Sequence, residues 1–318
     1  MLIRFWGTRG SLPAPIGKRA VREKLRSALL AANGRRFEGP DAIDRFLDTL
    51  PFAVSGTYGG NSSCVELSGI SEDYVVCDLG SGAREFGGRV LREKGPQTKC
   101  RYNFFLSHVH WDHIMGFPFF PPAYIPGNVI RIHGCHKTLR EALERQQSDP
   151  CFPVDFRNLG AKIEFVELEP GQTYEIGGFT VRAILQNHHG DSYAYRFTKD
   201  GRTVVYSTDC EHKFKKLDRS YPFIEFYHGA DLLIFDAMYS LADTISVKED
   251  WGHSSNMVAV ELAQMSGVKH LVLFHHEPIH DDGTIDTILA ETRRYAELHR
   301  SDAPLLITSA YDGLEIAL

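Results

Sequence analysis

The chain has 318 residues, 43% of them hydrophobic and 24% charged, and its formal net charge is −6. That length suits one large layered domain with a sizeable core. The acidic balance argues against tight sequence-independent nucleic-acid binding, which needs many Lys and Arg contacts to phosphate, while leaving room for a local basic patch.

Taken in chain order, β-branched and aromatic runs bounded by Gly, Pro or Asp predict strands at Leu2–Trp6, Ser63–Leu67, Tyr74–Asp78, Tyr102–Ser107, Val129–His133 and Lys162–Leu168. Further strands are predicted at Phe179–Leu185, Tyr193–Phe197, Thr203–Ser207, Asp231–Asp236, His270–Phe274 and Leu305–Ser309. The second and third of the set read as a hairpin. Helical patterns mark Ala83–Glu93, Lys137–Gln147, Ser254–Met265 and Thr284–Arg300, and Ser254, Ser255 and Asn256 are good N-cap types. Strands with interspersed helices indicate a layered α/β or α+β fold. No repeat or linker divides the chain, so one domain over 1–318 is expected. The stretch Pro13 to Val54 stands apart as a helical insertion. From Lys18 to Arg36 it carries Lys18, Arg19, Arg22, Lys24, Arg26, Arg35 and Arg36 against Glu23 alone. A solvated face is the plain reading; an anion-attracting lid or a dimer element is the sharper one.

The opening residues Met1 to Trp6 lack the charged and apolar regions of a secretory signal. No apolar run approaches the roughly 18 residues of a membrane helix. A cytoplasmic protein without a membrane span is expected. Cys64, Cys77, Cys100, Cys135, Cys151 and Cys210 form no CxxC pair, so free thiols, several of them buried, are expected.

Chemistry concentrates in Ser107-His108-Val109-His110-Trp111-Asp112-His113, on a loop at a strand end. Three imidazoles and a carboxylate within six positions suit zinc and other divalent transition metals. His108 and His110 alternate and can face one ion; Asp112 and His113 then turn toward a second. Two sites need more donors, and other predicted strand ends carry them: Asn187-His188-His189-Gly190, Ser207-Thr208-Asp209 and Phe274-His275-His276. A lone His or Asp at a strand end is structural more often than not; their joint order is what carries weight.

That order, HxHxDH, NHxG, STD and LFHHxP, resembles the metallo-β-lactamase superfamily. Phe5 to Pro13, Gly59 to Cys64 and Asp78-Leu79-Gly80-Ser81-Gly82 are similar to the branch of PhnP-like cyclic-phosphate phosphodiesterases and tRNA 3′-end endonucleases. The resemblance spans nearly the whole chain, with Pro13 to Val54 the main departure. It implies an α+β four-layer αββα sandwich, two mixed β-sheets flanked by helices. It also implies that His108, His110 and His188 hold one metal, that Asp112, His113 and His275 hold another, and that Asp209 bridges them. Asp78 matches the aspartate that buttresses the metal loop from behind. His189 competes with His188, and His276 with His275. The cofactors implied are two divalent ions, zinc by default, with Mn, Fe, Ni or Co also fitting. A homodimer is compatible with the resemblance.

Such a pair of ions acidifies a bridging water and neutralises charge on a phosphoryl oxygen. Asp112 is expected to orient the nucleophile, and His253, in Trp251-Gly252-His253-Ser254-Ser255, to protonate the leaving group. Tyr239 to Trp251 is a candidate substrate-facing loop. Gly116 to Pro122 reads either as ordinary packing or as an apolar wall for a base or ring, and His133, His136, His228 and His280 are expected to be structural. The leading expectation is hydrolysis of a small or cyclic nucleotide-type phosphodiester, with a small phosphodiester as substrate and no membrane partner. An RNA 3′-processing endonuclease is the second reading, with nucleic acid then the partner. A lactone, thioester or β-lactam hydrolase on the same metals is the third.

Overall fold

The chain is described by a computed structural model over residues 1–68, 73–213, 218–239, 251–299 and 304–318. The first seven-stranded sheet has β1 (Leu2–Gly7), β2 (Cys64–Ser68), β3 (Asp73–Cys77), β4 (Arg101–Phe105), β5 (Val129–Gly134) and β6 (Lys162–Glu167) side by side in that order. The second contains β7 (Thr173–Ile176), β8 (Phe179–Leu185), β9 (Tyr193–Lys199), β10 (Arg202–Ser207), β11 (Leu232–Asp236), β12 (His270–Phe274) and β13 (Leu306–Ser309). The last strand, β14 (Glu315–Ala317), returns to the first sheet beside β1. Each sheet is mixed. Antiparallel pairs lead to β3 and β10, and parallel neighbours run from β3 to β6 and from β10 to β13.

Side-chain alternation explains the layering. On β11, Leu232 and Ile234 join the core between the sheets, while Leu233 and Phe235 join the core under the outer helices. On β4, Phe105 faces the opposite sheet and Tyr102 and Phe104 face helix Ala83–Lys94. Both faces are buried, which is why these strands read as unbroken apolar runs. Helices Asn256–Met265 and Asp282–Leu298 cover the second sheet. The four-layer αββα sandwich is thus present, two mixed sheets back to back between helical layers. Ser255 caps its helix by accepting from Val258 N.

Two short strands, β7 and β14, and the helix Pro222–Tyr227 were not foreseen. Between β1 and β2 lie helices Lys18–Ala31, Pro40–Leu47 and Phe52–Ser55. Residues 240–250 of the anticipated Tyr239–Trp251 loop, and Arg300, lie outside the described residues. Phe117 and Phe120 are buried in the core and only Phe119 of that stretch is strongly exposed, so it is chiefly packing. All six cysteines are free thiols, four of them buried. No described helix is long and apolar enough to cross a membrane.

One buried imidazole makes a stability prediction. His133 stacks on Phe105 and its Nε2 lies 3.2 Å from Asn103 Oδ1. Burial, then the nearby Arg131, pushes its pKa from 6.5 down to about 4. The unfolded chain therefore binds this proton first, and stability present above pH 6.5 is lost as pH falls toward the folded value. His133→Gln is expected to flatten the loss of unfolding free energy, measured by urea titration, over that window by about 1 kcal/mol per pH unit. Equal slopes for variant and parent would contradict this.

Candidate metal centre

The candidate residues lie where strands end at one edge of the sandwich. Asp78 follows β3, and the His108 to His113 segment follows β4. His188 follows β8, Asp209 β10 and His275 β12. Strand ends at such an edge expose backbone and leave space for ligands. Asp78, Asp209 and His275 all have left-handed backbones, with φ of 60°, 36° and 60°. Such conformations cost about 1–3 kcal/mol each and collect at functional sites. The motif loop continues into the single turn Trp111–Ile114, which brings Asp112 and His113 inward.

Two clusters form. His108, His110 and His188 bring ring nitrogens within 4.8 Å of one another, and so do the donor atoms of Asp112, His113, Asp209 and His275. Asp209 faces both: its Oδ2 is 3.6 Å from His108 Nε2 and 3.7 Å from His188 Nε2. Its Oδ1 is 3.2 Å from both His113 Nε2 and His275 Nε2. Asp112 Oδ2 is 3.1 Å from His113 Nε2 and 3.2 Å from His275 Nε2. His188, not His189, enters the cluster, and His189 is exposed. His276 turns away, its Nε2 2.9 Å from Ala310 O.

The opposite ring nitrogens are anchored. His108 Nδ1 is 3.0 Å from Ser107 Oγ, His113 Nδ1 is 2.7 Å from Asp78 Oδ2, and His188 Nδ1 donates to Gly252 O at 2.9 Å. Such second contacts fix ring orientation and tautomer for metal binding. His108 Nε2 and His113 Nε2 are buried and make no hydrogen bond. Buried polar atoms rarely stay without a partner. Five imidazoles and two carboxylates separated by these distances fit divalent cations, whose four-coordinate shells space ligand atoms by roughly 3.3 Å.

Electrostatics follow from the crowding. Burial would raise Asp112, but His113 and His275 outweigh it and hold the carboxyl well below its usual range. Asp209 behaves alike: burial raises it, and His275, His113 and His108 more than reverse that. Burial, reinforced by His113, keeps His108 well below normal, and burial with His188 lowers His110.

His253 lies at the edge of both clusters, its ring centroid 5.2 Å from those of His188 and His275. Its Nδ1 is 2.8 Å from Asp236 Oδ2. Burial opposes protonation there, but the Asp236 charge and hydrogen bond prevail and raise the pKa to about 9. Asp236 was missed in the sequence, as was Ser11, whose N–H donates to Asp112 Oδ2 at 2.8 Å. Gly10 is required nearby: a Cβ there would lie 2.5 Å from the His275 ring. His136 Nε2, 3.1 Å from Gly190 O, braces the turn after His188.

Asp78→Asn is expected to weaken metal affinity by about 10- to 100-fold, because the anchor of His113 loses its charge. Competition titration with a chromogenic chelator measures this. Unchanged affinity would leave Asp78 no part in orienting the donors.

Residues 103–276 match the family described as a beta-lactamase superfamily domain. Ribonuclease Z from Thermoplasma acidophilum is 25% identical over 245 residues, covering 60% of this chain and 74% of that protein. The probable metallo-hydrolase YhfI from Bacillus subtilis is 31% identical over 245 residues, covering 72% of this chain and 88% of its own. The crystal structure of the metallo-beta-lactamase fold protein YhfI superposes along 99% of this chain and 98% of that one, with a TM-score of 0.64 at 18% identity. With more than half of its length inside the family match, this chain belongs to the metallo-β-lactamase superfamily of metal-binding hydrolases.

Proposed function

We propose that this protein is a phosphodiesterase acting on small or cyclic nucleotide-type phosphodiesters with two divalent ions, zinc by preference. The observation that carries the reading is the orientation of Asp209. One carboxylate oxygen is turned to His108 and His188, the other to His113 and His275. A carboxylate so placed suits sharing between two cations. His108, His110 and His188 would hold one, and Asp112, His113 and His275 the other. When bound, such ions supply Lewis acidity, acidifying water and offsetting charge on a phosphoryl oxygen.

The chain's own groups do the rest. Asp112, fixed by the Ser11 N–H, orients the attacking water. Water oxygen bonds to phosphorus, the bond to the leaving oxygen breaks, and that oxygen needs a proton. His253 supplies it. Asp236 holds Nδ1, which leaves the other ring nitrogen for the substrate. The flanking rings, His188 and His275, belong to different ion sites, so His253 borders the space between them.

The relative named ribonuclease Z supports phosphodiester chemistry and keeps RNA 3′-end cleavage as the second reading. Parallel turnover of a cyclic mononucleotide and of a 3′-extended RNA separates the two.

His253→Ala is expected to lower kcat by about 100- to 10,000-fold on a cyclic mononucleotide, with metal content unchanged. Loss on bis-p-nitrophenyl phosphate is far smaller, because its leaving group needs no proton. Full turnover by the variant on the alkyl-leaving substrate would remove His253 from this role. Absence of metal-dependent phosphodiester turnover by the parent protein would remove the whole reading.

A further inference from the structure

Gln186 is buried just past the end of β8, two residues before His188, and its side chain crosses to the turn that carries Asp209. Its amide nitrogen donates to Thr208 O, and to Asp209 O at 3.2 Å. Asp209 has the left-handed φ of 36°, and Thr208 Oγ1 donates to its Oδ1 at 2.6 Å. A residue in such a conformation keeps its direction only while the surrounding contacts hold the turn. Gln186 thus serves two strand ends at once: its backbone leads to His188, and its amide grips the turn of Asp209.

The amide can face only one way. Thr208 O and Asp209 O accept and never donate, so the nitrogen must face them and Oε1 must face away. On that side Ser207 Oγ donates to Oε1 at 2.7 Å. With its proton so used, Ser207 Oγ accepts from Tyr227 OH, 2.7 Å away. The Tyr227 oxygen then accepts from His212 Nε2 at 3.3 Å, and His212 Nδ1 accepts from Tyr221 OH at 2.8 Å. His212 stacks on Phe235, and burial pushes its pKa from 6.5 down to about 3. Its ring is therefore neutral, with the single proton on Nε2. Ser207 and Tyr227 are fully buried, while Tyr221 is half-buried. Every donor in the series points the same way, from Tyr221 toward the Asp209 turn, and hydrogen bonds aligned in this manner strengthen one another.

We propose that Gln186 is the positioning residue for Asp209, and that the chain Tyr221, His212, Tyr227 and Ser207 acts through Gln186 to set how firmly the two cations are held. The inference rests on reading Asp209 as the carboxylate they share, and not on the choice of substrate. Gln186 touches neither cation donor by its side chain; it acts on the backbone that aims one.

Zinc affinity, read by competition with a chromogenic chelator, tests this on the full chain. Gln186→Met keeps the length of the side chain and removes its hydrogen bonds, and is expected to weaken zinc binding by about 10- to 100-fold. Tyr227→Phe removes one hydroxyl from the middle of the chain and is expected to cost about two- to tenfold. The double variant is expected to lose no more than Gln186→Met alone, because Tyr227 acts through Gln186. A general loss of packing would instead add the two effects. Losses that add overturn the chain, and zinc affinity undiminished in Gln186→Met overturns the role of Gln186. Nitrogen NMR of the parent protein gives a reading that needs no variant: His212 is expected as the neutral Nε2–H tautomer, and the Nδ1–H tautomer overturns the direction of the chain. Failure of the parent to take up two zinc ions overturns the shared-carboxylate reading, and this inference with it.

Discussion

The convergence of donors at one edge of the sandwich depends on one buried carboxylate. Asp78 is fully shielded from solvent and accepts hydrogen bonds from four groups: Ser107 N at 2.7 Å, Ser107 Oγ at 2.8 Å, His113 Nδ1 at 2.7 Å and Tyr206 OH at 2.7 Å. A buried charge is tolerable only when it is paired and fully hydrogen-bonded. The donors come from three places: the loop after β4, the one-turn helix Trp111–Ile114, and β10 of the opposite sheet. Asp78 thus pins the motif loop in both position and rotation and ties the two sheets together at the point where the donors converge. Loss of this contact would free the ring of His113 and remove the Tyr206 link between the sheets.

Close backbone approach supplies the remaining precision. Gly10 lies against His275, Gly252 against His188, and Gly116 against the carbonyl of Gly80, each so near that a Cβ would collide. The imidazoles are held between backbone walls and polar anchors, with little rotamer freedom left to lose when they bind. That is preorganisation: the donors are held in place before any cation binds. The left-handed conformations of Asp78, Asp209 and His275 belong to the same economy of space, since each turns its side chain inward immediately after a strand.

Much of this was legible in the chain. HxHxDH is dense enough in donors to declare itself, and the strand-end positions of His188, Asp209 and His275 follow from apolar runs that stop just before them. The sheets were legible because buried parallel strands read as unbroken apolar runs rich in Val, Ile, Leu and Phe. What stayed hidden depends on contacts across the fold. Asp236 reads as any aspartate closing a strand until His253 is seen 2.8 Å away. Ser11 contributes a backbone N–H, which no residue type announces. Strands β7 and β14 are four and three residues long and owe their form to the neighbours they pair with. Helix Lys18–Ala31 has no side-chain cap, and Lys24 Nζ ties it down by donating to Gly56 O at 2.8 Å and reaching Asp282 Oδ2 at 2.6 Å, partners far apart in sequence.

The same crowding links the centre to the stability of the fold. Asp112 Oδ2 and Asp209 Oδ1 both lie within 3.2 Å of the same two nitrogens, His113 Nε2 and His275 Nε2. Two carboxylate oxygens and two imidazoles cannot share so small a volume without positive charge among them, from a proton or from a cation. The three carboxylates Asp78, Asp112 and Asp209 together raise His113 well above its usual pKa against the opposing effect of its burial, which expresses that demand in proton form. A cation meets it without the mismatch of one proton serving several acceptors, and binding to the folded arrangement alone adds directly to folding free energy. The strained turns and converging charges at this edge are costs that the folded chain carries, and ligation of a cation by these donors would offset them.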